Sequence, residues 1–275
     1  MSKLENLTSL PVRIYQEAIS DKERAFAPFA WTETFIRQIN EETNQMIVHI
    51  WPMERTVILG MADKRLPHIQ GALHTIEQQN YRPIIRNIGG LAVVADKGVL
   101  NFSLIIPDQL EERITIDEAY QMMVRLVRVM FSDFSKKIDC YEIEQSYCPG
   151  RYDLSIDGKK FAGIAQRRIK KGIVVSIYMS VNGDQMKRGQ MIAAFYREGL
   201  QEEQAGTRYP VVDPMCMANL SELLDSTLTV SIVVERLKRA LKQIGFDYQD
   251  WQPQAQYVTS FSQFYQRMNQ SIRKE

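Results

Sequence analysis

Cys148 and Lys160 lie in one segment, CPGRYDLSIDGKKFAGIAQRR (148–168), and a thiol near an ammonium is the pairing in this chain best suited to covalent chemistry. A free cysteine titrates near ~8.5, so little of it is nucleophilic at neutral pH unless a nearby cation stabilises the thiolate. Tyr152 to Ile156 alternates bulky and polar residues, Asp157-Gly158 suits a two-residue type I′ turn, and Lys159 to Arg168 reads as the returning strand. Pro149-Gly150 bends the chain before the first arm, so a long side chain from the second arm could reach the thiol. Strict alternation groups Lys160 with Ala162, Ile164 and Gln166, and Lys159 with Phe161, Gly163 and Ala165, so one lysine points inward. A solvated lysine pair at a hairpin tip is the competing and commoner arrangement.

The second candidate is Arg86-Asn87-Ile88-Gly89-Gly90-Leu91, between two strand candidates. Paired glycines let a backbone approach a ligand, and an adjacent arginine can hold a carboxylate, phosphate or carbonyl oxygen; a turn needing positive φ is the plainer alternative. No GxGxxG fingerprint, phosphate-binding GxxxxGK segment or GxSxG elbow is present. His49, His68 and His74 show no metal-ligand pairing with acidic residues, which argues against a zinc hydrolase. Arg167, Arg168, Lys170 and Lys171 form a basic hairpin edge, read as a guard against edge pairing or as a dock for an acidic protein.

These residues need a scaffold, and 275 residues with 45% hydrophobic and 24% charged content can bury a substantial core. The expected organisation is one catalytic domain over 1–275 with a helical subregion from about 215. A formal charge of +1 gives no global pull toward nucleic acid or membrane. The N-terminal stretch lacks a signal pattern, no segment is continuously apolar for ~18 residues, and three cysteines without CxxC spacing fit a reducing compartment, so the expectation is cytoplasmic.

Helices are expected at Trp31 to Thr43 and Gln70 to Asn80, and five strand candidates (46–51, 56–59, 83–86, 91–95, 100–106) are expected to accumulate in one sheet. Thr115 and Glu118 form a capping box, and Ala119, Met122, Met123, Leu126, Val127 and Met130 repeat at helical spacing. Those methionines could form an adaptable acyl-binding wall, although ordinary core is the plainer reading. Ile173, Val175, Ile177, Met179 and Val181 share one strand face. A helix over 185–198 capped by Asp184 or Asn182 should stop at Gly199 and lead into a polar loop, Gln201 to Thr207. Val233 to Ile244 should close at Gly245, and Ser260 to Arg273 forms a terminal helix. The fold class is therefore α/β in the α+β sense: a mixed, largely antiparallel central sheet covered by helices.

RNIGGLAVVADKGVLNFSLIIP (86–107), followed by the cysteine before GRYDLS and the tail GIAQRR, resembles the biotin and lipoate protein ligase family in its octanoyltransferase branch. The resemblance covers the middle of the chain. It implies that Cys148 is a nucleophile and Lys160 the catalytic lysine, with Arg86, Gly89, Gly90, Gly163 and Ala165 as substrate-binding positions. It also implies transfer of octanoyl from the lipoyl lysine of the glycine cleavage H protein to lipoyl domains of 2-oxoacid dehydrogenase E2 subunits, through a thioester and without a cofactor. ATP-dependent ligases of the family carry a glycine-richer, more basic segment ending in His-Asp, where this chain has Leu91 after Gly89-Gly90 and Ala95 before Asp96; the difference points away from adenylate formation. The readings left beside it are an octanoyl-acyl carrier protein transferase, an ATP-dependent ligase and a noncatalytic acyl-protein binding module.

Overall fold

The computed structural model describes residues 3–20, 24–86, 89–108, 113–201 and 208–272. β1 (Val12–Gln16), α1 (Ala27–Ile39), β2 (Met46–Ile50), β3 (Thr56–Leu59), α2 (Ile69–Glu77), β4 (Arg82–Ile85), β5 (Val93–Ala95) and β6 (Val99–Pro107) come first. They are followed by α3 (Ile116–Met130), β7 (Asp139–Cys140), β8 (Leu154–Ile156), β9 (Lys159–Ile169) and β10 (Gly172–Ser180). The chain closes with α4 (Gln185–Leu200), α5 (Leu220–Leu223), α6 (Val230–Ile244), β11 (Tyr248–Asp250) and α7 (Ala255–Ile272).

The expected mixed sheet is present: eight strands in the order β11-β1-β2-β6-β10-β9-β8-β7, parallel from β11 to β2 and antiparallel from β2 to β7. The five early strand candidates do not all join it. β3, β4 and β5 form a second sheet in the order β4-β3-β5. Apolar alternation identifies a strand but not its partner, and Pro52, with no N–H to donate, ends β2 and lets the chain leave the large sheet. β11 pairs parallel with β1, placing a strand inside the region read as helical.

α3 forms where its capping box requires. Thr115 Oγ1 accepts from the Glu118 amide at 3.2 Å and Glu118 Oε2 accepts from the Thr115 amide at 2.8 Å, an arrangement worth about 1 kcal/mol. Its apolar stripe packs with α6 on one face of the large sheet, so Met122, Met123 and Met130 are core residues and not an acyl-binding wall. α4 begins at Asp184, whose carboxylate accepts from the Lys187 amide at 2.8 Å. It does not stop at Gly199 but runs through it to Leu200. A Cβ on Gly199 would fall 2.9 Å from a methyl carbon of Leu66, so that glycine admits a helix–loop contact and does not terminate the helix. Of the expected loop after it, 202–207 lies outside the described residues. α6 ends as expected, on the Gly245 amide bonded to the Leu241 and Lys242 carbonyls. Among the described residues no helix is long and apolar enough to cross a membrane.

The two faces of the large sheet differ. Ile173, Val175, Ile177 and Met179 pack under α3 and α6. On the other face Val174 joins Ile47 and Ile105 beneath α1, while Tyr178 packs with the small sheet, α2 and α4. Between these two covers, Ser103, Ser176 and Ala165 lie side by side across β6, β10 and β9. Three small residues in one cross-strand row leave a groove.

Candidate active site

That groove opens into a cavity of about 280 Å³ lined by Arg86, Gly89, Gly90, Cys148, Lys160, Gly163 and Ala165, together with Trp51, Asn101, Tyr120, Ser176 and Tyr178. All seven candidate site residues are thus brought together from two separate segments, 86–91 and 148–168. Its size is near the lower end for small-ligand sites.

Cys148 adopts a positive φ of 48°, in the turn that precedes the hairpin, and the Asp157-Gly158 pair has φ values of 50° and 78°, as a type I′ turn requires. Its Sγ accepts from the Leu91 amide at 3.1 Å and lies 3.7 Å from Nη2 of Arg86, which also donates to the Leu91 carbonyl at 2.9 Å. Both donors would serve negative charge on or beside the sulfur. They converge because the glycine loop can come so close: Gly90 has φ +112°, and a Cβ there would lie 2.3 Å from Arg86 Nη2 and 3.1 Å from Sγ. Gly60 faces it, where a Cβ would lie 1.7 Å from the Gly90 carbonyl oxygen. Asn87 and Ile88 of the same motif lie outside the described residues.

A buried carboxylate holds this loop from behind. Asp63 accepts from the Gly60 amide at 2.7 Å and from the Tyr196 hydroxyl at 2.9 Å, and that hydroxyl accepts from the Ala92 amide at 3.1 Å. Burial pushes the Asp63 carboxyl up to about 6 against these hydrogen bonds.

One lysine points inward, as expected: Lys160 is buried and Lys159 exposed, but among the described contacts no hydrogen bond joins Lys160 to the sulfur. Its Nζ donates to Ser146 Oγ at 3.0 Å and to the carbonyls of Tyr147 and Cys148 at 3.1 and 2.9 Å, and it pairs with Asp153 at 2.9 Å. An ammonium has three protons, and these four oxygens occupy them. Asp153 in turn accepts from the Gly150 and Ile143 amides. Burial pushes its carboxyl up while Lys160 pulls it down. The lysine therefore clamps the main chain that carries Cys148, and Arg86 takes the place at the thiol.

The face grouping of the second arm also needs correction. Ser155 pairs with Lys160 and Leu154 with Ala162, so Phe161 is an extra residue, a β-bulge. Phe161 and Ala162 both turn into the core under α3, and Lys160 moves onto the face of Gly163, whose Cβ position is 3.6 Å from Nζ.

Several site residues were missed in the sequence. Asp153 reads there as the polar half of an alternating arm, yet it is 1% exposed. Tyr147, next to the cysteine, is fully buried, its hydroxyl bonded to that of Tyr178 and to the amide of Gln185. Gln185 continues to Ser180, and Arg188 closes the network on Ser180 and the carbonyls of Lys97 and Asn182. No sequence pattern marks these groups, because their partners come from different elements.

Residues 24–242 match the family model described as the lipoyl protein ligase A/B catalytic domain. An Octanoyl-[GcvH]:protein N-octanoyltransferase of Lysinibacillus sphaericus is 41% identical over 244 residues, covering 88% of this chain and 87% of that protein. A Lipoyl-[GcvH]:protein N-lipoyltransferase of Listeria monocytogenes is 39% identical over 244 residues, covering 89% and 87%. Among solved structures, lipoate-protein ligase A bound with ATP superposes with a TM-score of 0.72 at 17% identity, covering 94% of this chain and 95% of that one, a likeness of fold.

Proposed function

The chain belongs to the lipoyl protein ligase A/B catalytic-domain family, and from that premise we propose that it is a protein N-octanoyltransferase working by amidotransfer. The donor is the octanoylated lipoyl lysine of the glycine cleavage H protein, in line with what its relatives' names state, and the acceptors are lipoyl domains of 2-oxoacid dehydrogenase E2 subunits. The observation that carries the reading is the convergence of the Leu91 amide and Arg86 on Cys148 Sγ at the wall of an acyl-sized cavity.

In the forward half-reaction the Cys148 thiolate attacks the carbonyl carbon of the octanoyl amide, forming a C–S bond and a tetrahedral oxyanion. Arg86 and the Leu91 amide, already aimed at this point, are the donors for that charge. Collapse breaks the C–N bond as the lysine nitrogen takes a proton from solvent and leaves as an amine. The acceptor lysine, as its free amine, then attacks the thioester, breaking the C–S bond, returning a proton to solvent and restoring an amide and the thiolate. An amide is more stable than a thioester, so the first half runs uphill, but one amide replaces another overall and no ATP is consumed. Lys160 contributes by holding the Cys148 carbonyl, which fixes the strained positive φ of the nucleophile. The small floor of Gly163, Ala165 and Ser176 receives the alkyl chain.

Intact-protein mass spectrometry tests this. Incubated without ATP with octanoylated H protein and a lipoyl domain, the enzyme should move one octanoyl mass from donor to acceptor and carry it transiently, whereas Cys148→Ser should do neither while keeping its fold. Transfer only from octanoyl-acyl carrier protein, or only with ATP, would overturn the donor or the mechanism.

A further inference from the structure

Asn101 is 1% exposed and lines the cavity, and among the described residues its amide Nδ2 has no hydrogen-bond partner. Arg86 Nε in the same cavity shares that condition, whereas the polar groups of Trp51, Ser103 and Ser176 do not. Trp51 Nε1 donates to Ser103 Oγ at 3.0 Å, and Ser103 and Ser176 hydroxyls bond each other at 2.8 Å. A buried amide without a partner is costly, and a site that retains one is built for something that is not part of the folded chain.

The sheet register shows where this amide stands. Gly163 is paired with Tyr178, and Tyr178 with Asn101. Asn101 is therefore two strands from Gly163, roughly 10 Å at ordinary strand spacing, and Gly163 stands beside Lys160 at the cysteine end. The seven carbon–carbon bonds of an extended octanoyl group span roughly 9 Å. On the acyl-transfer reading, a chain held as a thioester at Cys148 and lying along this floor runs toward Asn101 and Trp51, which line the same cavity.

We propose that Asn101 is a specificity-determining residue for the far end of the acyl chain, donating to an acceptor atom there, so that the site takes eight-carbon acyl groups bearing sulfur at the distal end as well as plain octanoyl. The inference rests on the acyl-transfer reading for the direction in which the chain lies. A lipoyl group presents such sulfurs, and one relative is named for lipoyl transfer. Sulfur is a weak acceptor, so the expected preference is modest. With octanoyl bound, the amide faces a methyl end and stays unpaired.

The test compares octanoylated with lipoylated H protein as donors, for the wild type and Asn101→Leu. The wild type should transfer both, and the variant should lose about tenfold in kcat/KM with lipoyl relative to octanoyl. Equal loss with both donors, or no change with either, would overturn the proposal and leave Asn101 a structural or water-bound amide. Should the variant fold poorly, the side-chain amide resonance of Asn101 in the wild type serves instead: free lipoate should shift it more than free octanoate, and equal shifts would count against the proposal. This second measurement needs no H protein. If the wild type moves neither acyl group from H protein but the resonance still discriminates the acids, the donor assignment fails and the Asn101 assignment stands.

Discussion

The two faces of the large sheet use the same strands for different ends. Toward α3 and α6, β10 presents Ile173, Val175, Ile177 and Met179 and β6 presents Leu100, Phe102, Leu104 and Ile106, all buried in one core. The opposite face of these strands presents Val174, Ser176 and Tyr178, and Asn101, Ser103 and Ile105. One face is filled by large side chains, while on the other the middle row is left small between two covers. The proposed function uses the space withheld from packing on the second.

The largest expected break in this contrast lies at the clamp beneath Cys148. Lys160→Met leaves the Asp153 carboxylate buried without its partner, at a cost of about 3–5 kcal/mol, and should lower transfer at least about a hundredfold. The double change Lys160→Met with Asp153→Leu should recover most of the melting temperature but not the transfer rate. Recovery of both would show that the pair serves the fold alone.

Next in size are paired substitutions across the sheet. Leu104→Ala, on the packed face, should cost about 2–5 kcal/mol in denaturant unfolding and leave kcat/KM close to wild type. Ala165→Leu, on the groove floor, should leave unfolding nearly unchanged and reduce octanoyl transfer about tenfold or more. If Ala165→Leu proves as active as wild type, the groove is not the acyl site.

The smallest effect concerns Asp63, behind the glycine loop. Its carboxyl titrates near 6 in the folded chain, above its ordinary 3.8, so the folded state takes up the proton more readily than the unfolded one. Its contribution to stability is fully present below about 3.8 and is lost as the pH rises through about 6, with an upper size of roughly 3 kcal/mol for a shift of about two units. Measured against Asp63→Asn, the wild type should gain stability as the pH falls from 7 to 5. A pH-independent difference would remove Asp63 from this role.

The packed face was legible in the sequence because its signal is local. The capping box of α3, the alternation of β10 and the Asp157-Gly158 turn each depend on residues a few positions apart, and each appears as read. The site residues could be named but not assembled. Nothing in the GKKFAG segment shows that Phe161 bulges, because the bulge exists only in the register against β8. That Arg86 and not Lys160 donates to the sulfur escapes for the same reason: which cation reaches it depends on where the β4–β5 loop lands. The assignment of β3, β4 and β5 to their own sheet, the pairing of β11 with β1 and the missing partner of Asn101 are likewise properties of the assembled chain.

The groove floor has one more consequence, for the order in which the molecule matures. Ser103 and Ser176 are 73 residues apart in the chain, and their contact requires β6 and β10 to find each other. Such long closures come late, after local helices and hairpins are in place. A nascent chain therefore displays the Cys148 thiol before it possesses anywhere to lay an alkyl tail. On the proposed mechanism, thioester occupancy on Cys148 doubles as a certificate of completed folding, and a chain arrested before β10 should carry a cysteine that can be alkylated but not charged.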